Sequence, residues 1–62
     1  MKKEELIKAL RELNDKVQQR YANSIPTDGS MSDKIMDNIE DQALKFNDAV
    51  EWVIQEVEDN YE

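Results

Sequence analysis

The stretch "ANSIPTDGS", from Ala22 to Ser30, divides the chain into two parts. It contains the only proline and the only glycine among the 62 residues. A residue that precedes proline avoids helical backbone, as Ile25 does here before Pro26, and the pair Asp28-Gly29 is typical of turns. The stretch therefore predicts a loop, with bounds 22–31, at which a first helix ends and the chain reverses.

The residues before this loop have the periodicity of an amphipathic helix. Leu6, Leu10, Leu13 and Val17 recur at intervals of four, three and four residues. This spacing places the four side chains along one stripe of a helix. It predicts a first helix over residues 3–21.

The residues after the loop predict a longer second helix, over residues 32–60, with Ser32 as its N-cap. Its apolar stripe keeps the same alternation of three and four residues and consists of Met36, Ile39, Ala43, Phe46, Val50, Val53 and Val57. The unbroken phase favours one continuous helix. Asp48, followed three residues later by Glu51, is also a possible helix start, which leaves a compact three-helix bundle with a break near Asn47 as the alternative.

Together these patterns predict an all-α fold, an antiparallel helical hairpin in a single small domain over residues 1–62. If the hairpin folds tightly about the loop, Tyr21 lies near Ser32 and Lys3 lies near Val50. At about 1.5 Å per residue the end of the second helix then projects past the first helix. The apolar and aromatic residues of this projecting end are the predicted interface: Val50, Trp52, Val53, Ile54, Val57 and Tyr61.

A chain this short has a marginal core, and small domains are usually completed by disulfides, a metal or oligomerisation. The sequence has no cysteine, and it has no histidine, which is a usual zinc ligand. Oligomerisation remains, and we expect a homodimer in which two hairpins form a four-helix bundle. In that bundle Trp52, one position before Val53, either widens the dimer core or is an exposed anchor for another protein.

Charge is distributed unevenly along the chain, whose net charge is −7. The first 22 residues carry six basic and four acidic side chains, whereas the remainder carries two basic and eleven acidic ones. An acidic surface repels phosphate groups, which disfavours direct nucleic-acid binding and favours a protein partner with a basic surface. The predicted acidic face of the second helix comprises Asp33, Asp37, Glu40, Asp41, Asp48 and Glu51.

The sequence offers little for catalysis, and we expect no catalytic residues, no cofactor and no metal site. Without histidine or cysteine, a serine nucleophile would have no obvious base, and no glycine-rich phosphate loop is present. The row Asp33, Asp37 and Asp41 has helical spacing that could bind a divalent cation, but a solvated helix face is the simpler interpretation. The apolar runs are too short for a signal peptide or a membrane span, so we expect a cytoplasmic protein.

Three functions fit these features. The first is a small acidic, non-enzymatic interaction protein that binds and regulates another protein. The second is an acidic inhibitor that mimics nucleic acid and occupies a nucleic-acid-binding groove, as phage or mobile-element counter-defence proteins do. The third is an antitoxin-like or subunit-like partner that folds on binding.

Overall fold

The computed structural model describes residues Met1–Tyr61, which form two helices, α1 (Lys3–Asn23) and α2 (Asp33–Asn60). The helices pack side by side in a single layer with extents of 48 × 15 × 8 Å. The predicted all-α helical hairpin is therefore confirmed. Because α2 runs without interruption through Phe46–Asp48, the alternative three-helix bundle is wrong.

Local signals set the ends of both helices. At the end of α1 the Ser24 hydroxyl donates a hydrogen bond to the Tyr21 carbonyl (2.7 Å), and Ile25-Pro26 follows at once. At the start of α2 the Ser32 hydroxyl accepts a hydrogen bond from the Ile35 N–H (3.4 Å), as its predicted capping role requires. Within the loop Gly29 has φ +76°, a left-handed conformation that glycine adopts without steric cost.

The seam between the helices is narrow. Among the described residues only Val50 and Ile54 are buried, with exposed fractions of 6% and 2%. The rest of the seam is half-buried and includes Leu6, Ile7, Leu10, Asn14, Val17, Gln18 and Tyr21 on α1, and Met36, Ile39, Ala43, Phe46, Asn47 and Val57 on α2.

The seam differs from the predicted stripe at two positions, where Asn14 replaces Leu13 on α1 and Ile54 replaces Val53 on α2. Leu13 is 49% exposed and Val53 is 39% exposed. The predicted stripe assumed a repeat of 3.5 residues per turn, but an α-helix without supercoiling has about 3.6 and drifts by about 20° per heptad. The drift accumulates along α2 until Ile54 takes the inward position.

The predicted register of the hairpin is also wrong. Lys3 Nζ donates a hydrogen bond to the Glu58 carbonyl (2.7 Å), so Lys3 lies eight residues further along α2 than the predicted Val50. Asn14 Nδ2 donates to Asn47 Oδ1 (2.7 Å), and the Tyr61 hydroxyl donates to the Met1 carbonyl. At 1.5 Å per residue, the difference from the predicted register is about 12 Å.

The loop explains this difference, because it is long enough for α2 to begin beyond the end of α1. Tyr21 consequently lines the same cleft as Ile39 and Ala43, and does not lie beside Ser32. This register places the start of α1 against the apolar end of α2, where it contributes to burying Val50 and Ile54. The end of α2 is therefore not a free projection, and its uncovered surface lies along its side.

Candidate interaction surface

The structure divides the six predicted interface residues into two groups. Val50 and Ile54 are buried within the chain, and Val57 and Tyr61 are half-buried. Trp52 and Val53 remain open to solvent, with exposed fractions of 67% and 39%. Helix α1 thus covers part of the apolar surface formed by residues 49–61, and the exposed part of that surface includes Trp52 and Val53.

Trp52 and Val53 border a shallow groove with a volume of about 300 Å³ on the side of α2. The groove is lined by Trp52, Val53, Glu56, Val57, Asn60 and Tyr61. Its walls are mainly apolar, and Glu56 supplies the one charged group of the lining. Such a surface fits an apolar side chain that is accompanied by a basic one.

The hairpin has two broad faces, and the position of a residue relative to the seam determines the face on which it lies. Residues one position before a seam residue turn to one side, since each residue of an α-helix rotates the side chain by about 100°. Val17, Arg20 and Gln42 occur together along one cleft on this side. Residues one position after a seam residue turn to the other side, where Arg11 meets Glu51.

The first of these sides is largely apolar, and we call it the apolar face. Its apolar side chains are Leu6, Leu13 and Val17 from α1, and Ile35, Phe46 and Val53 from α2, with Arg20 and Gln42 among them. Leu13, Ile35 and Val53 are 49%, 52% and 39% exposed, and the other three apolar side chains are half-buried. Within Met1–Tyr61 the two helices form a single layer, and no further element covers this face. The groove beside Trp52 continues the apolar face toward the end of α2.

Hydrogen bonds within the seam and an ion pair on the opposite side, the polar face, also join the two helices. Gln18 Nε2 donates both to Asn14 Oδ1 (3.2 Å) and to the Ala43 carbonyl (2.8 Å), which extends the contact between Asn14 and Asn47. The ion pair joins Arg11 and Glu51 at 3.4 Å; both side chains are about half exposed, so it contributes little stability.

One large apolar side chain lies on the polar face. Leu44 is 59% exposed and follows the seam residue Ala43. Single exposed leucines are common on soluble proteins. Leu44 is therefore not part of an interaction surface, and it offers a control position for substitutions on the apolar face.

The six residues of the predicted acidic face are all exposed. Among residues 1–61, two of them form ion pairs, Asp41 with Lys45 (2.9 Å) and Glu51 with Arg11. The hydrogen bond from Lys45 to Asp41 raises the pKa of Lys45, with a smaller contribution from the charge of the carboxylate. Asp33, Asp37, Glu40 and Asp48 lie on the surface of the described chain without an ion-pair partner. They give α2 a negative potential along most of its length.

In the described structure, the side chains that could bind a cofactor or a metal ion do not lie together in one site. In the region Met1–Tyr61, no group of three or more acidic side chains lies close enough together to hold a metal ion. Over the same residues, neither helix contains a segment sufficiently apolar to cross a bilayer. What the arrangement offers chemically is an apolar surface beside an acidic one.

Sequence reasoning missed part of this surface. Ile35 and Leu13 belong to the apolar face, although Leu13 was assigned to the seam and Ile35 to no stripe. The signal that would have found Ile35 is a second set of helical positions on α2, at Ile35, Ile39, Gln42, Phe46, Ala49 and Val53, which shares Ile39, Phe46 and Val53 with the predicted stripe. Together the two sets give α2 an apolar surface that is wider than the single stripe of a coiled-coil seam.

The chain was compared with protein-family models, with curated proteins and with solved structures, and none of the three comparisons found a match.

Proposed function

We propose that this chain is a small acidic, non-enzymatic interaction protein. It forms a homodimer through its apolar face, as a four-helix bundle, and it binds and regulates another protein that has a basic surface. The observation that carries the proposal is the apolar face itself, because three of its large side chains are 39% to 52% exposed while the hairpin buries only two residues among 1–61.

The energetics of a small hairpin support the first half of this proposal. A core of two buried residues stabilises a fold weakly, because ordering each residue costs about 1–2 kcal/mol of conformational entropy. Covering the apolar face of two copies adds buried area to both chains at once. Two hairpins packed in this way form a four-helix bundle, a common architecture for chains of this length.

The acidic exterior of α2 supports the second half. Asp33, Asp37, Asp41 and Asp48 project away from the apolar face and stay accessible when that face is covered. Negative potential along a surface steers the approach of positively charged partners and excludes acidic ones. The regulated partner is therefore a protein with clustered lysine or arginine residues.

Oligomeric state is tested by light scattering with a pair of matched charge substitutions. Val53→Asp places a carboxylate on the apolar face, whereas Leu44→Asp places the same group on the polar face at a comparably open position. We expect the wild-type chain and Leu44→Asp to have twice the 7.3 kDa mass of one chain, and Val53→Asp to be monomeric. A helical wild-type monomer at high micromolar concentration would contradict the homodimer.

Partner binding is tested by a pull-down from the native host with two baits. The first bait is the wild-type chain, and the second has Asp33, Asp37, Asp41 and Asp48 replaced by asparagine. We expect proteins with basic surfaces to be retained by the first bait and lost from the second. Equal retention by both baits would mean that the acidic exterior does not bind the partner.

A second candidate function is an acidic inhibitor that occupies a nucleic-acid-binding groove. It is favoured by the row of exposed acids from Asp33 to Glu51, which extends over about 27 Å of helix at 1.5 Å per residue. Six charges over that length are sparser than the one phosphate per 3.4 Å of a DNA strand, which places this function second. Competition between the chain and a DNA duplex for the captured partner distinguishes it from the first function.

A further inference from the structure

We propose that the second copy covers the apolar face with its α1 lying across α2, so that both hairpin loops are at the same end of the bundle. The proposal rests on the homodimer proposed above and specifies its topology. In this arrangement the twofold axis runs parallel to the helices. Each α1 then packs against its own α2 at the seam and against the α2 of the second copy at the apolar face.

The relative charge of the two helices favours this arrangement. Over its full length α2 carries nine acidic and two basic residues, whereas α1 carries five basic and four acidic ones. Their net charges are thus −7 and +1. Packing α1 of one copy on α2 of the other sets opposite charges side by side, and it places the two strongly acidic helices at diagonal corners of the bundle.

The other symmetric arrangement has the twofold axis perpendicular to the helices, with the loops at opposite ends. It stacks α2 directly on α2 of the second copy, about 8–10 Å away for packed helices. Two helices of net charge −7 then face each other along their length. Like charges placed close together at an interface are unfavourable, so charge selects the arrangement with both loops at one end.

The fit of side chains at the groove also favours this arrangement. Lys3 is level with Glu58 in the hairpin, so Leu6 is level with Gln55, between Val53 and Val57. Because the twofold axis is parallel to the helices, Leu6 of the second copy lies at this same height, across the groove. Lys2 of the second copy then lies at the height of Asp59, three residues beyond the groove's acid, Glu56. The occupant of the groove is therefore the start of α1 from a second copy.

The arrangement also provides room for the indole. Asn14 is level with Asn47, so Ala9, five residues earlier, is level with Trp52. A small side chain at that height allows the second α1 to approach closely beside the large one.

The distance between the two loops tests this topology, and the absence of native cysteine allows a single label on each chain. Thr27→Cys is placed at the exposed tip of the loop and carries a spin label, and the label separation is measured by pulsed dipolar spectroscopy on the full-length dimer. Asp48→Cys, on the outer side of α2 near its middle, is the control: its labels lie within measurable distance in either arrangement and show that the dimer is present.

We expect the Thr27 labels to be separated by less than about 30 Å, since two helix widths of about 10–12 Å and the label arms lie between the loops. A Thr27 separation near or above the 48 Å length of the hairpin, with the dimer intact, would overturn this topology and leave the homodimer standing. A single-chain mass and no dipolar signal from either label would overturn both.

Discussion

Val50 and Val53 provide a matched pair of substitutions, because valine-to-alanine removes the same two methyl groups from two neighbouring turns of α2. Val50 is 6% exposed and belongs to the seam, whereas Val53 is 39% exposed and belongs to the apolar face. The change in helix propensity is the same at both positions and cancels in the comparison. Any difference in stability therefore reports the packing of each side chain.

The size of the difference follows from burial. Two buried carbon atoms correspond to about 1.6 kcal/mol of transfer free energy, at about 0.8 kcal/mol for each. Val50→Ala loses nearly all of this and leaves a cavity beside Ile54, which brings its cost to about 2 kcal/mol. Val53 is already open to solvent in the hairpin, so Val53→Ala costs about 0.5–1 kcal/mol before any second copy covers it.

Urea unfolding followed by circular dichroism measures both costs. In a small domain the free energy of unfolding falls by about 1 kcal/mol per molar urea, so we expect the two midpoints to differ by about 1 M at low micromolar concentration. At high micromolar concentration the proposed dimer covers Val53, and the gap narrows. Equal midpoints at low concentration would show that Val53 is as well packed as Val50, which would refute its assignment to the apolar face and return it to the seam.

Three further outcomes are expected. Asn47→Ala leaves the Asn14 amide without its acceptor and lowers the free energy of unfolding by about 1 kcal/mol, measurable by urea unfolding, whereas Asn47→Gln retains an amide and recovers part of the loss. Trp52 fluorescence shifts to shorter wavelength as the protein concentration rises, and an emission maximum that is independent of concentration would show that dimerisation leaves the indole exposed. Hydrogen bonds from Ser30, first from its side chain and then from its backbone, lower the pKa of Asp28. The stability that this carboxylate adds is thus complete above its ordinary pKa and is lost as pH falls through the lowered folded value; a carboxyl titration followed by NMR at its ordinary position would contradict this.

The helices themselves follow directly from local sequence. Ile25-Pro26 and Asp28-Gly29 restrict the backbone where they stand, and Ser32 caps the helix that it precedes, so these signals need no knowledge of the tertiary structure. Local sequence also predicts that α2 continues through Phe46–Asp48. The apolar periodicity is unbroken there, and no glycine or proline interrupts the helix. The possible cap at Asp48 is overridden by this phase.

The register could not be predicted in the same way, because it depends on contacts between distant residues. The slack of the loop allows many offsets between the helices, and the apolar periodicity of each helix fits several of them. What distinguishes the observed offset is a set of polar contacts, above all Asn14 with Asn47 and Lys3 with the Glu58 carbonyl. Asparagines on a helix give no sequence signal for pairing, so this information exists only in the folded chain.

The prediction of which residues lie in the seam and which lie on the apolar face was wrong for a different reason. A heptad pattern assigns inward positions correctly over one or two turns, but the difference between 3.5 and 3.6 residues per turn grows with helix length. On α2, with 28 residues, it is enough to exchange Val53 for Ile54. The sequence could predict that this stretch of α2 is apolar. It could not predict that Ile54 is buried while Val53 is exposed.

The exchange of Val53 for Ile54 at the buried position has a functional consequence, because α2, an acidic helix, then has two apolar stripes. One stripe is covered by α1, whose leucines and net positive charge suit it. In the proposed dimer the other stripe is covered by the α1 of a second copy. A dimer built in this way satisfies both stripes and still carries twice the −7 charge of one chain, with the acids of α2 on its outside. In the proposed dimer, the composition that makes the chain its own apolar partner therefore also leaves a strongly acidic exterior, which suits the proposed partner with a basic surface.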